Sequence, residues 1–385
     1  MPQTFDAQPG FDYDRTLVVA IELSSKSWVL AAQIPGLPHL KAKRTIEPDV
    51  EALISAIDSF RSRANAAGRV AERVIATYEA GWSGFWLARW LAKRGVQTHV
   101  IQPSSVPVDR RARRAKSDGI DAELLLRTLL AWLRGEPRVC SMVPIPNETD
   151  EDARRSSRER TELVSERISL VNRIGAVLAT LGVSSYDALR RDRRRRFDEL
   201  RTALGDPLPA NARSKITRML DRLELLLKQI SELDRQRDAV LENDAPDKAA
   251  EMIQQLTTLR GIGAQSATVL VREAFVRNFA NGKALGSYAG LAATPYSSGN
   301  INREQGIGKA GNRRLRTVMV ELAWLWQRYQ PTSAHVRWYR ERAGANGARM
   351  RKVMIVALAR KLLIALWRFV TQGVLPKGVT MKPAC

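Results

Sequence analysis

The chain is expected to form an α/β domain followed by a mostly helical remainder, an α/β plus α architecture. Three observations predict it. Short apolar runs alternate with helical patterns up to about residue 140. Strand signals then cease while two long amphipathic patterns follow, and a polar, glycine-rich, basic stretch leads into further helical text near the C-terminus. At 385 residues the chain is too long for one ordinary core, so two or three domains are expected.

Residues 16–23 (TLVVAIEL) and 28–32 are apolar runs separated by SSKS, which matches two antiparallel strands and a turn. Residues 41–46 supply a third strand. Across 50–67, Leu53, Ile54, Ile57 and Phe60 recur at helical spacing, and the β-like run 73–79 comes next. Residues 82–93 read as a helix, 96–102 as a strand, and another helix follows. This order, β-β-β-α-β-α-β and then a helix, describes an α/β domain assigned to residues 1–145.

Two prolines close together between 141 and 147, then the acidic and basic stretch ETDEDARRSSRER, mark a boundary. Beyond it Leu163, Arg167, Leu170, Ile174, Val177 and Leu181 share one helix face. Ile216, Met219, Leu223, Leu226, Ile230, Leu233 and Val240 keep a seven-residue pattern. Residues 146–248 are therefore expected to be a helical linker with a helical hairpin or coiled coil, although the same pattern fits amphipathic helices buried within their own domain. The run RRDRRRR at 190–196 is a solvated charge run or a phosphate contact, and adds affinity rather than chemistry.

A third region, residues 249–385, opens with LRGIG, where Gly261 and Gly263 form a tight turn before a helix. Such a turn serves the fold, or offers backbone amides to a phosphate. AATPYSSGNINREQGIGKAGNRRLRT then reads as a long functional loop entering a helix over 314–329, with Asn312 as its cap.

Charge narrows the partner. Lysine and arginine number 62 against 40 aspartates and glutamates, a formal net charge of +22, so a polyanion is the natural ligand. The longest apolar run, 353–370, is interrupted by Arg360, Lys361 and Arg368 and does not read as a membrane span. The acidic N-terminus lacks the features of a secretory signal, so a cytoplasmic, nucleoid-associated location is expected. Only Cys140 and Cys385, with His39, His99 and His335, could serve a zinc site, too few and too scattered. A catalytic metal must be held by carboxylates, which favours Mg2+ or Mn2+.

Four acids stand out by placement: Glu22 late in the first strand, Glu79 closing the strand RVIATYE, and Asp118 and Asp121 in KSDGIDAELL at a helix start. A lone carboxylate in an apolar strand is costly, so Glu22 is hard to explain as packing. Asp118 and Asp121, three apart on a helix, can face one ion; they also fit an ordinary N-cap and first-turn acid. This is the plan of a ribonuclease-H-like nuclease fold, in which a carboxylate-bound cation polarises a phosphoryl oxygen.

The motifs AIELSSK, TYEAGW, KSDGIDAELL, LRGIG, GLAATPYSSG and GIGKAGNRRLR, in that order over residues 16–373, resemble one family. It is the bacterial insertion-sequence transposase family with a DEDD-type, RuvC-like domain, here termed serine-dependent, which includes Piv-type invertases and bridge-RNA-guided recombinases. The resemblance implies that Glu22, Glu79, Asp118 and Asp121 are the metal-binding tetrad, with Glu22 in place of the usual aspartate. It places the nucleophile at Ser298 in Tyr296-Ser297-Ser298-Gly299, with Ser297 the adjacent confounder. It further implies a RuvC-like domain, a helical middle and a C-terminal transposase domain, working as a homodimer or homotetramer on donor and target DNA, with a noncoding guide RNA in one branch.

Arg303, Lys309, Arg313, Arg314 and Arg316 could hold phosphates near the scissile bond. Arg337 and Arg349, among further cations around Trp338 and Tyr339, suit backbone charge and base stacking, unless those aromatics are core. The expected activity is DNA cutting and rejoining by a serine-linked transposase. A RuvC-like structure-specific nuclease or junction resolvase is the rival.

Overall fold

In the α/β part, β-branched and apolar residues concentrate in runs short enough to be strands, one of them buried from end to end and two more buried through their interiors. The computed structural model describes residues 11–38, 42–107, 117–243, 247–298, 301–308, 310–343 and 347–383, with the side chains of 42, 295 and 303–305 left out. Strands β1 (Thr16–Leu23), β2 (Trp28–Gln33), β3 (Ala42–Ile46), β4 (Arg73–Glu79), β5 (Gln97–Ile101) and β6 (Met142–Val143) make one sheet in the order β3-β2-β1-β4-β5-β6. β1 pairs antiparallel with β2 and parallel with β4, which pairs parallel with β5. The sequence missed β6, a two-residue strand lying where only a domain boundary was read.

Helix α1 (Val50–Ala66) is capped by Asp49, whose side chain accepts from the Ala52 amide, and buries Leu53, Ile57 and Phe60 against Leu17, Val19, Ile21 and Val74. The opposite face of the sheet, Val18, Ala20, Ile75 and Ile101, is covered by α3 (Asp118–Leu133) through Ala122, Leu125, Leu126 and Leu129. Covering both faces explains why β1 is apolar at successive positions rather than alternating. Helix α2 (Trp86–Ala92) is shorter than the expected 82–93, because residues 82–85 form a turn ahead of it.

The chain divides into two compact units, one ending at Glu148 and one starting at Thr149. After α4 (Glu148–Asp152), helices α5 (Arg155–Ala179) and α7 (Ala210–Leu241) lie antiparallel, with α6 (Arg193–Asp198) between them in sequence. Arg160 near the start of α5 bonds Asp234 near the end of α7 at 2.8 Å and 3.0 Å, while Leu178 packs in one cluster with Ile216 and Leu220. Of the helical hairpin or coiled coil that the patterns fit, the structure shows a helical hairpin whose seam is filled from within the chain. The seam ends at Ile230, since Leu233 is only half-buried and Val240 is exposed.

The other core of this unit gathers α8 (Lys248–Thr257), α9 (Ala264–Leu270), α10 (Gly282–Tyr288), α11 (Arg313–Tyr329), α12 (Ala334–Ala343) and α13 (Ala348–Gln372) around Trp326, Leu358, Leu362 and Leu366. Gly261 has φ of +89°, and a Cβ there would stand 2.9 Å from Tyr329 Cβ. That close approach gives the LRGIG turn a packing role. The stretch read as a loop is instead a β-hairpin of β7 (Ala293–Ser298) and β8 (Ile301–Ile307). Its strands are mostly polar and exposed, so the alternation that marks a strand is absent. No helix among the described residues is long and apolar enough to cross a membrane.

Candidate active site

Register places the first two acids. Ala20 on β1 pairs with Thr77 on β4 in a parallel ladder, and Glu22 and Glu79 each lie two residues beyond this pair, toward the same end of their strands. Strands lie about 4.8 Å apart and alternate residues share a face, so both carboxylates belong to the face covered by α3. Val29 on β2 pairs with Glu22, and Ile101 on β5 pairs with Glu79. Both acids are half-buried at the end of the sheet, just past fully buried strand interiors.

Helix α3 runs antiparallel to β1. At its far end Arg134 Nη1 donates to the Tyr13 hydroxyl at 3.2 Å, ahead of β1, while Glu123 near its start pairs at 2.8 Å with Lys43, which lies level with Ala20 through Ala31. Asp118 and Asp121 in its first turn are therefore toward the same end of β1 as Glu22. The cap of this helix is Ser117, whose hydroxyl accepts from the Ile120 amide at 3.4 Å, so neither aspartate is the N-cap.

The donors suit a hard divalent cation, being carboxylate oxygens only. Beneath them Thr77, fully buried on the same face, has a hydroxyl with no hydrogen-bond partner among the described residues. Among the described residues, however, no three Asp, Glu, His or Cys side chains are gathered closely enough to hold an ion.

Ser298 ends β7, exposed, and pairs with Ile301 across the hairpin. Neighbouring residues of a strand point to opposite faces. Ser297 spends its hydroxyl on Asn302 Oδ1 at 3.1 Å, whereas among the described residues no such bond engages Ser298. The two adjacent serines thus differ in their hydrogen bonding among the described residues. Gly299 lies outside the described residues.

The hairpin leads into α11, whose start is held by a buried charge cluster. Asn312 caps α11 by accepting from the Leu315 amide at 3.1 Å, and its amide nitrogen donates to Glu273 Oε2 at 3.1 Å and to the Tyr288 hydroxyl at 3.2 Å. Glu273, 4% exposed, lies in a π-helical turn, Val271–Phe275. Arg158 grips it with two bonds of 2.9 Å and 3.0 Å, and Arg314 Nε stands 3.6 Å away. Burial pushes this carboxyl up, but the Arg158 bond and charge, with Asn312 and Arg314, more than offset it and hold it below the ordinary value. Sequence reasoning missed Glu273. The only signal was a carboxylate within the apolar text VLVREAFV.

The expected phosphate contacts divide accordingly. Arg314 is committed inside the fold, donating to the Ser157 carbonyl at 2.8 Å and the Thr161 hydroxyl at 2.7 Å, so the structure gives it an anchoring role instead. Arg316 reaches back to the Gly308 and Ala310 carbonyls, 3.4 Å each. Arg313 is exposed, and so are Arg337 and Arg349 on α12 and α13. Arg303 lies on β8 with its side chain outside the description, and Lys309 lies outside the described residues. Tyr339 is 5% exposed and belongs to the core, while half-buried Trp338 has Lys361 Nζ 4.7 Å and the Arg342 guanidinium 5.0 Å from its ring. Base stacking is therefore not open to Tyr339.

With this geometry in place, comparison with known proteins is informative. A transposase profile of the DEDD, IS110 type matches residues 20–182, and the profile described as Transposase IS116/IS110/IS902 family matches 253–337. A Sinorhizobium fredii protein, y4rJ, whose name provisionally makes it a transposase, is 44% identical over 376 residues, covering 95% of this chain and 94% of its own. The transposase for insertion sequence element IS1328 of Yersinia enterocolitica is 28% identical over 74% of this chain and 79% of its own. That for IS1111A of Coxiella burnetii is 26% identical over 72% of each. The matched family is designated by its DEDD domain and its insertion sequence, so serine-dependent is not part of its designation.

Proposed function

The chain belongs to the DEDD-type IS116/IS110/IS902 transposase family, and from that premise we propose that it cuts and rejoins donor and target DNA through a bond between Ser298 and phosphate. The enzyme is a DNA transposase; the chemistry is the proposal. The observation that carries it is the asymmetry of the two exposed hairpin serines, with Ser297 bonded to Asn302 and no such bond on Ser298 among the described residues.

Glu22, Glu79, Asp118 and Asp121 would hold Mg2+ or Mn2+, which when bound supplies positive charge to a phosphoryl oxygen. The Ser298 oxygen loses its proton and bonds to phosphorus as the opposite DNA oxygen leaves and takes up a proton. The phosphoserine ester conserves the bond energy of the cut strand. A second DNA hydroxyl then displaces the serine, so strands exchange without a nucleotide cofactor. Lys309, Arg303, Arg313, Arg337 and Arg349 would position phosphates.

The proposal includes a homodimer or homotetramer acting on nucleoid DNA in the bacterial cytoplasm, guided by a bridge RNA. A net charge of +22 and family membership support it, and copurifying RNA that pairs with both DNA partners would test the guide.

The chemistry is tested by incubating protein and candidate RNA with donor and target DNA and Mg2+, then seeking protease-sensitive protein–DNA adducts. Adducts should form with wild type and Ser297→Ala and vanish with Ser298→Ala and Glu79→Gln. Free cut ends from Ser298→Ala would instead identify a hydrolytic nuclease.

A further inference from the structure

Trp82 is 76% exposed, more than any other aromatic side chain among the described residues. Its exposure is not that of a loose end. The Gly84 amide donates to the Gly81 carbonyl at 3.1 Å, closing a turn with Trp82 and Ser83 at its apex. From below, the hydroxyl of fully buried Tyr78 donates to the Gly84 carbonyl at 3.1 Å, and the Ala80 amide donates to Ile101 at 2.8 Å. Gly84, at φ +66°, permits the bend. Trp86, four residues on, packs at 6.4 Å against Trp28, which pairs with Leu23 at the end of β1. Anchors on both sides thus hold a bare indole three residues past Glu79, at the carboxyl end of the sheet where Glu22 also lies.

We propose that Trp82 is a stacking platform for an unpaired nucleobase next to the phosphate handled at this edge. The occupant follows from charge. Without a cation the acids at this edge repel a phosphate backbone, whereas stacking is indifferent to charge, so an indole face can hold a base beside a phosphate that the cation-loaded acids engage. A base must leave its helix to stack, which suits a strand being opened for cutting. The inference rests on the reading of Glu79 as part of the reactive site.

The test uses full-length protein and DNA duplexes carrying 2-aminopurine either in a three-nucleotide single-stranded gap or fully paired, with a third arm placing the gap in RNA. Wild type should quench the gapped probe. Trp82→Ala should bind it on the order of tenfold more weakly, keep its paired-duplex affinity and keep the salt slope of binding, while Trp82→Phe restores most of the loss. The DNA and RNA arms show which strand supplies the base. Undiminished quenching by Trp82→Ala overturns the proposal. So does equal loss on gapped and paired probes by a Trp82→Ala protein that melts like wild type, or a change in its self-association without DNA, which would make Trp82 a protein contact. Glu79→Gln should retain quenching and lose cutting. If it cuts normally, the metal-site reading fails while the stacking result stands by itself.

Discussion

His99 shows how a residue's neighbours set its charge. Its pKa is lowered to about 4, first by burial and then by Arg73. Arg73 Nε donates to Gln97 Oε1 at 3.0 Å, which turns the Gln97 amide nitrogen to His99 Nε2, also 3.0 Å away, so that ring nitrogen must accept. The unfolded chain takes up this proton near 6.5 and the folded chain near 4. Between those values the unfolded state binds more protons, so stability is complete above about pH 6.5, falls as pH drops toward 4, and is level below. The shift corresponds to ~3 kcal/mol. Urea midpoints at pH 7, 5.5 and 4.5 should decline for wild type and flatten over this range in His99→Gln; an unchanged decline would count against the account. Nothing in QTHVI announces this, because Arg73 is 24 residues from Gln97 in sequence and comes near His99 only through strand pairing.

The α11 start is an element held by charge, and the magnitudes rank its contacts. Glu273→Gln leaves Arg158 and Arg314 without their counter-charge in a buried setting. Breaking such a pair costs several kcal/mol when both partners are buried, and the half-exposed Arg158 reduces this to about 2–3 kcal/mol. Asp221→Asn, which loosens the exposed pair with Arg194, should change stability by under about 0.5 kcal/mol. Urea unfolding of the two variants checks the contrast, and equal effects would show that Glu273 is not the anchor. The hairpin before α11 was illegible as strands because neither face is consistently apolar, whereas β1 and β4 were read to their observed ends because both are apolar runs bounded by turn residues.

At the scale of the whole molecule, a net charge of +22 predicts DNA affinity that falls steeply with salt, on the order of a thousandfold or more between 50 and 200 mM if six or more phosphates are neutralised. Alanine at exposed Arg313, Arg337 or Arg349 should each lower the log–log slope by about one. Arg314→Ala should instead lower stability and leave the slope unchanged, as its guanidinium is already taken by Ser157, Thr161 and Glu273. Titrations at four salt concentrations distinguish the two classes.

The α/β order followed by helices, the polyanion partner and the family were determined by the sequence alone, since periodicity, composition and ordered motifs are local properties of a chain. Only the tertiary structure decided that Glu22 and Glu79 lie at the same end of neighbouring parallel strands, that Ser297 and Ser298 differ in hydrogen bonding, and that Arg314 and Tyr339 are spent inside the fold. Those outcomes depend on strand register and on contacts between residues as much as 157 positions apart, and such contacts leave no trace in the spacing of neighbouring letters.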